Sequence, residues 1–90
     1  MADKKKNYDI SNLENALMEL TAQDYANAEK ACRAAGDTAV EISFSSNFRA
    51  RLAAKALDIP YTEVNEMNIK DYATITLRVG NFLLGSLAEG

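Results

Sequence analysis

Apolar residues along this chain recur mostly at helical spacing. Leu13, Leu17 and Leu20 fall on one side of a segment that opens with Ser11 and, three residues later, Glu14, the spacing of a capping box. That pattern predicts a helix over 12–20. Thr21 and Asp24 repeat the signal, and Tyr25, Ala28, Cys32 and Ala35 carry a second stripe up to Gly36, a residue suited to the left-handed position after a helix end. A helix over 22–35 is expected, with a stripe so rich in alanine that a neighbour can approach closely. From Ser46 to Leu57 strong helix formers dominate, and Asp58-Ile59-Pro60 ends the run, because the residue before proline is pushed out of the helical region. Phe48 and Leu52 are the expected core residues of this segment, packing on Tyr72 and Ile75. Tyr61 to Val64 reads as a single helical turn.

Two stretches fit more than one period. Val40, Ile42 and Phe44 alternate with Glu41, Ser43 and Ser45 as a half-buried strand would, yet Val40, Phe44 and Phe48 are spaced by four. Ala73, Ile75, Leu77 and Val79 alternate with Thr74, Thr76 and Arg78, while Tyr72, Ile75, Val79 and Phe82 share one side of a helix that Asn68 and Asp71 are placed to cap. The expected fold is mainly α, a small single-domain helical bundle with about 55–70% helix and a last helix over 69–84. The alternative is an α+β fold with a hairpin-like pair from 38–44 and 73–79. Residues 1–10, with three consecutive lysines and little to bury, are expected to form a disordered leader, and 11–87 a single helical domain without repeat or linker.

Ninety residues make at most one domain, of a size that buries only about 60–65% of its unfolded surface, so association would add to its stability. Thirteen acids against ten bases give a net charge of −3, the opposite balance to that of a dedicated nucleic-acid binder. One cysteine, Cys32, cannot form an internal disulfide, and the start lacks the apolar run of a secretory signal, which together suit a reducing cytoplasm. No window approaches the roughly 20 apolar residues of a membrane span.

Candidate chemistry is sparse. The chain has no histidine, which removes the commonest proton-transfer group and transition-metal ligand. Cys32 lies on an apolar stripe, where a small soft hydrophobe is the simpler reading than a nucleophile. Asp58, Glu63, Glu66 and Asp71 cluster around Pro60, but helix capping and solvation account for them without acid-base catalysis or Mg²⁺. Gly80 and Gly85 flank Asn81-Phe82-Leu83-Leu84 and form no phosphate loop. Arg51 and Lys55 share one helix face while Arg49 projects elsewhere, so the basic patch is narrow. No enzyme, cofactor or metal is expected from these residues.

The last predicted helix carries two apolar stripes, one of Tyr72, Ile75, Val79 and Phe82, the other of Ala73, Leu77 and Leu84. One stripe can face the domain's own core, leaving the second for another molecule unless the bundle buries both. Val79, Phe82, Leu83 and Leu84 are the candidate partner-binding residues, with Arg51 and Lys55 as the other candidate face.

Ala50-Arg51-Leu52 with Ala53-Ala54-Lys55-Ala56-Leu57, then Ile59-Pro60, Ile69-Lys70-Asp71-Tyr72 and Val79-Gly80-Asn81-Phe82-Leu83-Leu84 form a series of landmarks, preceded by Leu20-Thr21-Ala22-Gln23-Asp24-Tyr25, Ala28-Glu29-Lys30 and Gly36-Asp37. Across residues 20–87 the chain resembles the small tail assembly chaperones of long-tailed bacteriophages and prophages. The landmarks are packing and capping residues rather than chemistry. The resemblance favours helix over strand for 73–79 and leaves 38–44 open. It implies a protein that binds the tape-measure protein, keeps its hydrophobic helices soluble, recruits tail-tube subunits in the host bacterial cytoplasm, and is absent from the mature virion. A homo-oligomer is the other association open to a chain this small. No N-terminal β-hairpin of the kind some members carry is evident here. Other readings are a small helical nucleic-acid-binding regulator using Lys4 to Lys6, Arg49, Arg51 and Lys55, or a minor phage structural protein such as a head-tail connector.

Overall fold

In a computed structural model describing residues 10–89, with side chains through Gly85, the chain is mainly α and 74% helical. The helices are α1 (Leu13–Met18), α2 (Ala22–Ala34), α3 (Ser46–Leu57), α4 (Tyr61–Asn65) and α5 (Ile69–Glu89), with one 3-10 turn, Ile42–Phe44, between α2 and α3. α5 runs past its expected end at Leu84 to Glu89. Except for Ile10, the expected leader lies outside the described residues. Ile10 itself departs from that expectation: it packs against the core, and its carbonyl accepts a hydrogen bond from Leu13 N at 3.1 Å.

Local chemistry accounts for most helix ends. The Thr21 hydroxyl accepts from Asp24 N (3.2 Å) while the Asp24 carboxylate accepts from Thr21 N (2.9 Å), a complete capping box. Gly36 takes φ 103° just beyond α2. Ser45 Oγ accepts from Phe48 N (3.3 Å) to start α3, and Asp58, at φ 60°, ends it. Asn68 Oδ1 accepts from Asp71 N (2.9 Å) at the start of α5. The capping box expected from Ser11 and Glu14 does not form: α1 starts after Asn12 without a side-chain cap, and the Glu14 carboxylate is taken by Arg78. A partner 64 residues away in sequence outcompetes the local amide.

α3 is the central element, with Phe48, Ala50, Leu52, Ala53 and Ala54 buried around most of its circumference. Phe48, Leu52 and Ala53 join Leu13, Leu17, Cys32, Ile42, Ile75 and Val79 in one cluster. On the other side, Ala50 and Ala54 meet Val64 in a second cluster against which Tyr72 packs. The expected contact of Phe48 with Ile75's side of α5 is therefore found, whereas Tyr72 belongs to the other cluster. Phe48's aromatic neighbour is Tyr25, edge to face at 4.7 Å between ring centres. The alanines let α4 and α5 come close enough to α3 for these clusters to form on both sides of it.

Neither ambiguous run pairs as a strand among the described residues, and the α+β alternative does not hold. Residues 73–79 lie in the middle of α5, where the buried Thr76 hydroxyl donates back to Tyr72 O (3.0 Å). The connection through 37–45 satisfies its backbone with side chains instead of a ladder. Asp37 accepts from Ala39 N (2.9 Å) and from the Ser45 hydroxyl, Arg33 donates to the carbonyls of Asp37 and Ala39, and Arg49 Nε donates to Ser43 O (2.7 Å). No described helix is long and apolar enough to cross a membrane.

Candidate functional site

α1 is only six residues long, so the tail of α5 extends past it against the turn that leads into α2. Leu17, Leu20, Tyr25, Leu52, Phe82 and Leu83, with Thr21 and Ala22, line the resulting cavity of about 320 Å³. The capping box at Thr21 sets the direction of α2 and thereby places Tyr25 in this wall. A second cavity of about 460 Å³, bounded by Tyr25, Glu41, Ser43, Phe44, Leu83 and Leu84, shares Tyr25 and Leu83 with the first. Together they form an apolar groove running from Leu20 to Phe44, open to solvent along its length. Phe44 is 63% exposed, an unusual state for a phenylalanine with no covering element.

Glu41 gives the Phe44 end of the groove a negative charge. Burial raises the Tyr25 phenol above its ordinary pKa, and the carboxylates of Glu41 and Glu29 raise it further, so the ring stays neutral at physiological pH.

The predicted partner residues separate into three groups. Phe82, Leu83 and Leu84 are half-buried in the groove wall. Val79 is fully buried in the core and presents nothing to a partner, a correction to its expected role: at that level α1 and α3 both cover α5. Arg51 and Lys55 lie on the opposite flank of α2, beside Asp24, Asn27, Ala28 and Ala31, and do not join the groove. The second apolar stripe of α5 is divided as well, with Ala73 and Leu77 exposed and Leu84 at the groove. Phe44, Leu17, Leu20 and Tyr25 escaped the sequence reading as site residues. The only available signal was the apolar position of Phe44 in a run without a strand partner.

Cys32 is buried, and its thiol is pushed up in pKa chiefly by that burial. Arg49 is occupied by Ser43 and lies against Gly80, where an added Cβ would collide with its guanidinium. Among the described residues no group of three or more His, Cys, Asp or Glu side chains converges as metal ligands do. Comparison with known proteins gives no match: no family model fits the chain, and no curated protein or solved structure matches it.

Proposed function

We propose that this protein is a phage tail assembly chaperone that holds a helix of the tape-measure protein in the groove between α1, α2 and the end of α5. The observation that carries the reading is the open apolar surface joined by Tyr25 and Leu83, which suits the apolar face of an amphipathic helix. Glu41 at its Phe44 end favours an occupant with lysine or arginine beside its apolar stripe. The sequence resemblance supplies the particular partner, the recruitment of tail-tube subunits that follows, and absence from the mature virion.

The test is co-purification with tape-measure fragments from the same genome, alongside thermal unfolding of the chaperone alone. Replacing Phe82 and Leu83 by serine should abolish capture while leaving a cooperative unfolding transition. Capture at wild-type strength by the double variant would place the interface elsewhere. A second copy of the chain in the groove would show instead as a concentration-dependent dimer that the same variant dissolves. Recovery of the protein in purified virions would favour a minor structural component.

A further inference from the structure

Arg51 stands apart from the other arginines of the chain. Arg33 donates to Glu29 and two carbonyls, Arg49 to Ser43 O, and Arg78 to Glu14, whereas Arg51 has no oxygen acceptor in the described structure. Its guanidinium instead lies over the Tyr61 ring, with Cζ 4.1 Å from the centroid. Stacking of this kind holds the plane in place without consuming any N–H donor. The Nε is sealed from solvent with no partner, so binding capacity rests on the two terminal amino groups. The neighbouring Cys32 sulfur accepts from this guanidinium but offers no counter-charge, because burial raises the thiol's pKa and keeps it protonated.

The cavity around this guanidinium measures about 290 Å³. Lys55, exposed and one turn along α3, adds a second cation to its wall, and Ala28, Ala31, Ala54 and Ile59 supply apolar surface. Asp24 is also a wall residue and attracts Lys55, but its carboxylate is pinned by Thr21 N and the Thr21 hydroxyl at the start of α2. Two cations against one engaged carboxylate leave the pocket net positive in a chain of net charge −3.

We infer that this pocket binds a carboxylate ligand with a short apolar body, the carboxylate bridging the Arg51 fork with help from Lys55 and the hydrocarbon resting on the alanines and Ile59. A guanidinium stacked on a ring and without an oxygen acceptor can turn its terminal N–H groups to a carboxylate, and the apolar wall distinguishes an organic acid from a bare anion. The site lies on the other flank of α2 from the groove, so it stands or falls independently of the helix-capture reading.

The experiment is a titration of the ¹⁵N-labelled full chain with sodium butyrate, acetate, inorganic phosphate and chloride at matched ionic strength, read on the arginine Nε–Hε signals and the amides of Asn27 and Ala28. Butyrate should shift the Arg51 signal saturably, while Arg33 and Arg78, already paired, stay still. Half-saturation should come at a concentration at least threefold lower than for acetate, since each fully buried methylene adds about 0.8 kcal/mol. Lys55→Gln, an exposed change, should weaken butyrate about threefold, the weight of one screened charge. Arg51→Lys keeps the charge but loses the fork and should abolish the saturable shifts at Asn27 and Ala28. An Arg51 response to butyrate no larger than to chloride would overturn the inference, as would a response to phosphate alone.

Discussion

The two halves of α5 have similar apolar content and opposite fates. From Ile75 to Gly80 the helix is core, with Ile75, Thr76, Val79 and Gly80 buried; from Phe82 to Leu84 it is only half covered. The first half lies under α3 and α1, whereas the second overhangs the point where α1 has already turned into α2. Burial along this helix is decided by the length of its neighbours. An apolar stripe longer than the elements that cover it is left partly open to solvent.

The largest effects should come from the covered half and the α3 residues in its cluster. Phe48→Ala should cost about 3–5 kcal/mol and Ile75→Ala about 2–4, most of the stability of a domain this small, measured by urea unfolding. A loss below about 1 kcal/mol at either site would remove the distinction between the halves. In the overhanging half, the Phe82 and Leu83 serine variant should lose less than about 2 kcal/mol in total, since those side chains are already partly in water. A larger loss would mean that the groove wall belongs to the folding core.

The close approach of Arg49 to Gly80 sharpens the boundary between the halves. Alanine at Gly80 gains about 1 kcal/mol of helix propensity but displaces the guanidinium from Ser43 O, leaving a buried carbonyl short of a donor at about 1–3 kcal/mol. Gly80→Ala should therefore destabilise by about 1 kcal/mol alone and become stabilising in an Arg49→Ala background. Additive effects of the two changes would show that the contact is not energetically coupled.

The smallest effect concerns the ion pair that ties α1 to α5. Arg78 Nε donates to the Glu14 carboxylate at 3.0 Å, which lowers the Glu14 pKa from its ordinary value and raises that of Arg78, two shifts that agree in direction. A depressed carboxylate contributes stability above its unfolded pKa and loses it as pH falls through the lower folded value. The pair is partly exposed, so Glu14→Gln should cost only about 0.5–1 kcal/mol at neutral pH. The difference between wild type and variant should close as pH drops below the ordinary glutamate range. A gap that persists at low pH would assign Glu14 a packing role instead.

What the chain's order of residues determined by itself is local. The bounds of α3, the caps at Thr21 and Asn68, the glycine after α2 and the stop before Pro60 depend on groups within four or five residues of one another, close enough for a linear pattern to record. The mainly α class follows from these signals together. Tertiary structure decided the rest. Alternation at 73–79 suited a strand and a helix equally, and helix prevailed because the caps and the α3 surface favoured it while no partner strand formed among the described residues. Residues 38–44 formed neither a strand nor an α-helix but a loop closed by the 3-10 turn Ile42–Phe44, since Asp37, Arg33 and Arg49 satisfy the backbone there from outside the segment. Glu14's exchange of a cap for Arg78, Arg49's place against Gly80, and the groove that unites Leu20, Tyr25, Phe44 and Leu83 all join residues distant in sequence. Such contacts depend on how far each helix extends beside the next, and periodicity within a single segment carries no record of that.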